Sequence, residues 1–220
     1  MDTASQLKQL LNNGVGYAND VPCTSQATII VVGAPRSGTS MIAAALDALG
    51  IYMGDNKDDA VFEDRRIAHG LEKDPSKLPG IIADYNAHHS IWGFKRPTAF
   101  ETISDKINLF RNPRFIIPFR DPMAIAKRQQ VSINADAIRQ LRNAADITLR
   151  LTKFVQELQA PVMMLSYEKA IMAPKRTLLN IALFSGLSPE TAGTLPASKI
   201  LKNGPDKYVL ASQRRFPKST

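Results

Sequence analysis

The stretch from Ala27 to Gly50 reads ATIIVVGAPRSGTSMIAAALDALG, and no other part of the chain limits the fold as tightly. Thr28 to Val32 is a continuous β-branched run with no polar alternation, the pattern of a strand covered on both faces. Turn-forming residues follow. Met41, Ile42, Ala45, Leu46 and Leu49 then recur at helical spacing until Gly50 ends the helix. A buried strand, a glycine-bearing loop and a helix in that order open a parallel α/β unit.

Three more short apolar runs repeat the theme: Ile91 to Lys95 (IWGFK), Arg114 to Phe119 (RFIIPF) and Pro161 to Leu165 (PVMML). Helix-like sequence follows near Pro97 and Pro122, and again as Glu168 to Met172 and Pro174 to Phe184. Met123 to Leu158 is a long helical stretch rich in Arg and Gln, with a break expected near Asn134. Four strands alternating with helices predict a three-layer α/β fold, a parallel sheet flanked by helices on both faces. At 220 residues, a single domain over 1–220 suits a prior of about 150 residues per domain better than two small ones. Within it, 1–27 reads as a short helix over Gln6 to Leu11, closed by Asn13-Gly14, and a polar connector.

No apolar stretch reaches the roughly 20 residues of a membrane-spanning helix. The N-terminus carries acid and amide groups where a secretory signal has a basic run and an apolar block. Cys23 stands alone, which excludes a disulfide framework and a thiolate metal cage, so the expected compartment is a reducing cytoplasm. The 28 basic and 20 acidic side chains leave a net charge of +8. The excess is concentrated at the end, where 199–220 holds Lys199, Lys202, Lys207, Arg214, Arg215 and Lys218 against Asp206. That points to an anionic partner or to a solvated basic tail. Aromatic residues are not interleaved with these cations, which argues against nucleic acid.

The loop Gly33-Ala34-Pro35-Arg36-Ser37-Gly38-Thr39-Ser40 lies where backbone N–H groups can be aimed at an oxyanion. Gly38 allows close approach to the backbone, Thr39 and Ser40 add hydroxyls, and Arg36 adds a fixed cationic fork. The spacing is that of a nucleotide-binding P-loop, but Thr39 replaces the lysine expected after the second glycine. A P-loop NTPase needs that lysine on its terminal phosphates. A kinase-like enzyme using ATP and magnesium would also require an acidic metal ligand at the sheet edge, for which Asp121 is the obvious candidate. His69, His88 and His89 have no metal-ligand spacing, and no metal is implied.

The strand with APRSGTS resembles the 5′-phosphosulfate loop of sulfotransferases that use 3′-phosphoadenosine 5′-phosphosulfate (PAPS). RFIIPFRDPMAIAKRQQVS resembles that family's strand and helix for the 3′-phosphate. VMMLSYEKAIMAPKRTLLNIALFSGLS resembles the strand, Tyr-Glu turn and helix of its carbohydrate-type and bacterial members, and WGFKRP and VFEDRRI are similar to further family segments. These cover most of Thr28 to Ser188 in the family order.

The resemblance implies roles. Pro35, Arg36, Ser37, Gly38, Thr39 and Ser40 would hold the 5′ end of PAPS, with Arg36 balancing charge on the bridging oxygen as the sulfuryl group leaves. Arg120 would bind the 3′-phosphate. Where family members carry a serine eight residues later, this chain has Arg128, with Ser132 one turn further, and either residue fits. Lys95 would contact the transferring sulfuryl group. Glu63, in VFED, would serve as the base, with Asp64 and Asp59 as neighbouring alternatives. Trp92 and Tyr85 are candidates for the acceptor pocket or for the core, the pocket being expected between about Tyr52 and His89. Arg214 and Arg215 would close over the nucleotide. The implied reaction transfers a sulfuryl group to an acceptor hydroxyl on a carbohydrate, lipid or small molecule and releases adenosine 3′,5′-bisphosphate (PAP). The alternative to catalysis is a noncatalytic module that binds a nucleotide or another polyanion.

Overall fold

The computed structural model of the chain describes residues 13–55, 62–133 and 136–202, apart from the side chains of 131–133. The helix expected at Gln6 to Leu11, Asp59, and the tail residues Arg214 and Arg215 lie outside the described residues, as does the side chain of Ser132. Among the described residues, β1 (Val15–Ala18), β2 (Ala27–Val31), β3 (Ile91–Lys95), β4 (Pro113–Phe119) and β5 (Val162–Ser166) form one sheet in the order β1-β5-β4-β2-β3. The last four run parallel, and β1 pairs antiparallel with β5 at the edge.

The apolar run in β2 is continuous because both of its faces are covered. Ile30 and Val32 pack into one cluster with Phe94, Phe115 and Ile117, whereas Ile29 and Val31 pack into the other with Ile116 and Met163. The first cluster is closed by α2 (Arg65–Glu72), α3 (Leu78–His88), α4 (Pro122–Ile133) and α5 (Ala137–Glu157). The second is closed by α1 (Thr39–Ala48) and α7 (Pro174–Phe184). The short helix α6 (Tyr167–Met172) leads into α7, and α8 (Pro189–Gly193) and α9 (Ala197–Ile200) follow it. The result is three layers, as the alternation of strands and helices predicts.

Two local readings change. Val15–Ala18 is a strand rather than a connector: Val15 pairs with Leu165 and Ala18 with Val162. Its Tyr17 is exposed, and an edge strand held by backbone pairing to a distant partner carries little apolar signal of its own. Pro97–Glu101 forms a 3-10 turn where a helix was expected. It buries only Ala99 and Phe100 before the chain turns back toward β4.

The strand order also sets where a ligand can enter. The chain leaves β2 toward β3 on one side and leaves β4 toward β5 on the other, so their carboxyl ends flank a crevice. Open α/β sheets bind ligands at such reversals.

Candidate functional site

The loop after β2 crosses the sheet edge at this crevice. Arg36 has φ +72° and Gly38 φ +107°, both in the left-handed region. For an arginine that conformation costs on the order of 1–2 kcal/mol. Gly38 is required for a second reason: a Cβ there would lie 2.3 Å from Cδ2 of Tyr167. It also stands at the N-cap of α1 and supplies no side chain to the first-turn N–H groups, so an outside anion can take the place of the capping oxygen. Pro35, Gly38 and Ser40 are half-buried along the loop. Ser37 and Thr39 are 1% and 4% exposed. The Ser37 hydroxyl has no hydrogen-bond partner among the described residues, a deficit of about 1–3 kcal/mol.

Arg120 follows β4 on the opposite bank. Its Nη1 donates to the Arg36 carbonyl at 3.1 Å, its guanidinium carbon lies 4.2 Å from the Tyr167 ring centroid, and its Nε is 3.6 Å from a Glu168 oxygen. Tyr167 therefore packs against Gly38 and Arg120 at once. Arg128 is half-buried on α4, and Ser132 follows it by one turn of the same helix. The Arg36 Nε donates to Gln129 Oε1 at 3.4 Å.

A second group sits at the end of β3. Lys95 Nζ donates to Glu63 Oε1 at 2.8 Å, and Arg96 Nη1 donates to Glu63 Oε2 at 2.6 Å. Arg96 also grips Glu72 in a two-pronged contact at 2.6 and 2.8 Å. The Lys95 side chain is 1% exposed and that of Glu63 is 13% exposed. Burial pushes the Glu63 carboxyl upward, but Lys95 and then Arg96 outweigh it and hold the group below its ordinary value. Phe62, with φ +56°, turns the chain immediately before Glu63 and packs against the cluster under α1.

Asp64, the neighbouring acid, is 2% exposed and already occupied. It caps α2 by accepting from Arg66 N and Ile67 N at 2.7 and 3.0 Å, and it accepts from the Tyr85 hydroxyl at 2.5 Å. Burial and this contact with Asp64 push the Tyr85 hydroxyl pKa up. Tyr85 and Trp92 are 3% and 0% exposed, so both belong to the core and neither lines an open acceptor pocket. Asp121 is committed as well, accepting from Met123 N and Ala124 N at the start of α4.

The structure thus brings Arg36 and Arg120 together across the crevice, and Glu63 and Lys95 together at the end of β3. Four contributors lie inside the motif-like segments but receive no role of their own from them: Arg96, Gln129, and the pair Tyr167 and Glu168. Arg96 carries a signal, since it extends the basic pair at a strand end. Gln129 carries none, because an amide on a polar helix face looks like any other.

A cleft of about 350 Å³ opens beside the loop between Pro35, α4 and α5. A hollow of about 540 Å³ lies at the opposite, amino-terminal edge of the sheet near Cys23, Arg114 and Leu158, away from all of these groups. Among the described residues, no three His, Cys, Asp or Glu side chains are grouped to hold a metal ion. No helix among them is long and apolar enough to cross a membrane.

The sequence matches no family model and no curated protein. Solved structures similar to it include retinol dehydratase in complex with androsterone and the inactive cofactor PAP, at 13% identity and a TM-score of 0.45. A second is retinol dehydratase in a complex with retinol and PAP, at 13% identity and a TM-score of 0.41. Each match covers 80% of this chain and 64% of the other, so the chain spans less than two thirds of the length of the proteins it resembles.

Proposed function

We propose that this chain transfers the sulfuryl group of PAPS to an acceptor hydroxyl. The observation that carries the reading is the crevice between β2 and β4, where a side-chain-free helix start, the Arg36 fork and the Arg120 guanidinium converge without a P-loop lysine. A ligand with anionic groups at both ends suits that spacing of cations. The motif resemblance names PAPS.

In this reading the loop from Pro35 to Ser40 binds the 5′ end and Arg120 binds the 3′-phosphate with Arg128 or Ser132. The acceptor oxygen attacks sulfur in line, and the bond from sulfur to the bridging phosphate oxygen breaks as PAP leaves. Arg36 stabilises charge on that bridging oxygen, a contribution to rate only insofar as its bonds strengthen in the transition state. Lys95 turns toward the sulfuryl oxygens, and as it leaves Glu63 the carboxylate regains basicity and takes the acceptor proton. The tight pair described above is then the resting arrangement of the base. The reading assigns no step to a divalent ion; Asp121, the acid a magnesium-dependent kinase would use, caps the start of α4 through its Oδ1.

A thermal-shift panel of PAP, ATP with magnesium, and sulfate tests this. PAP at 100 times its Kd should stabilise by about 2.7 kcal/mol and raise Tm by roughly 5–10 °C. Stabilisation by ATP with magnesium but not by PAP overturns the reading.

A further inference from the structure

We propose that the cleft beside the loop is the acceptor pocket and that it takes a small polyhydroxylated molecule, a sugar ring or polyol; this rests on the sulfuryl-transfer reading above. At about 350 Å³ it lies near the lower end of ligand-site volumes, roughly 300–1,000 Å³, enough for one small ring. Its chemistry is set by α5, where Gln140, Asn143, Ile147 and Arg150 fall at intervals of three or four and form one stripe along the helix. Gln129 adds a third amide from α4, and the buried Ile125 backs it.

Amides donate and accept, as hydroxyls do, so several hydroxyls at fixed spacing satisfy this lining. A steroid or simple phenol brings a single hydroxyl and so engages fewer of these amides than a polyol does. Asp146 and Arg150 carry opposite charges, which leaves the lining without a net charge and suits a neutral ligand. The cleft is also tied to both halves of the reaction. Gln129 accepts from the Arg36 Nε at 3.4 Å. Arg150 pairs with Glu101, which ends the turn that begins directly after Arg96, the second cation on Glu63.

The segment from Tyr52 to His89 offers less. Its open groove, about 660 Å³ between α2 and α3, is basic, but Arg66 there is paired with Asp55 and Asp84, and Lys77 with Asp74.

The test uses the full chain with PAPS, a panel of methyl glucoside, methyl galactoside, methyl xyloside and inositol, and cyclohexylmethanol as the single-hydroxyl control. Leucine keeps helix propensity high, so Gln140→Leu with Asn143→Leu should fold. The double variant should raise KM for the best polyol at least tenfold. KM for PAPS should stay within twofold and the Tm rise given by PAP should be unchanged. In the unaltered protein, kcat/KM for cyclohexylmethanol should be at least tenfold below that polyol. An unchanged polyol KM, a preference for cyclohexylmethanol, or sensitivity to Lys77→Glu in place of the double variant overturns the assignment. Failure of every polyol while PAP still raises Tm overturns the pocket and leaves the nucleotide reading standing. Absence of any PAP effect overturns the transfer reading itself. In that event a titration of the amide resonances of 137–150 with the polyols shows whether the cleft still binds them.

Discussion

Glu63 neutralises two cations with one carboxylate, and the balance among the three decides what each substitution does. The Lys95 side chain is 1% exposed, so Glu63→Gln leaves a buried ammonium with reduced compensation; it should cost about 3 kcal/mol by denaturant unfolding. Adding Lys95→Met to that variant should return at least about 1 kcal/mol of the loss, a coupling that a double-mutant cycle reads directly. The pH dependence has a definite sign. The folded pKa of Glu63 lies below its unfolded value, so the pair's contribution is complete above the ordinary glutamate value of about 4.3 and is lost as pH falls through the depressed value. The acid limb of a stability profile should therefore flatten in Glu63→Gln. Arg36 separates function from stability. Glycine relaxes its left-handed backbone, so Arg36→Gly should be neutral or stabilising by up to about 1 kcal/mol, while sulfuryl transfer falls at least about 100-fold. Arg36 and Lys95 stand out in the sequence because a cation in a glycine loop and a lysine ending an apolar strand are local anomalies. That Lys95 spends its charge on a residue 32 positions earlier is not local.

At the scale of elements, the start of α1 is shaped by the start of α6. Tyr167 fills the space over Gly38 and underlies Arg120, so three segments meet at one ring. Gly38→Ala has to displace that ring and hold alanine at φ +107°, and should cost at least about 2 kcal/mol in Tm-derived stability while weakening PAP binding. Tyr167→Leu relieves the crowding but removes the support under Arg120. It should raise the PAP dissociation constant by about tenfold with a smaller effect on folding, as titration calorimetry would show. The parallel strands, and the helices after β2, β4 and β5, were readable because apolar runs and helical spacing show within short windows of neighbouring residues. The antiparallel strand Val15–Ala18 was not, since what makes it a strand is the edge offered by β5 nearly 150 residues later.

For the whole molecule, a net charge of +8 should make association with an anionic nucleotide depend on ionic strength. The PAP dissociation constant should rise several-fold between about 50 and 300 mM salt, as the screening length shortens, and a flat response would mean that the general field contributes nothing beyond direct contacts. The site is assembled from separations of very different reach: Arg36 to Gln129 spans 93 positions, and Arg120 to Arg36 spans 84. Sequence alone determined the layered α/β architecture and the anion-suited loop, because strand, turn and helix preferences, and the need of Gly38 for a left-handed turn, are properties of neighbouring residues. Only the tertiary structure decided which carboxylate neutralises Lys95, which aromatic ring supports Arg120 and where a cleft opens beside the loop. Those follow from the order β1-β5-β4-β2-β3, which brings distant segments to one edge of the sheet and which no window of adjacent residues encodes.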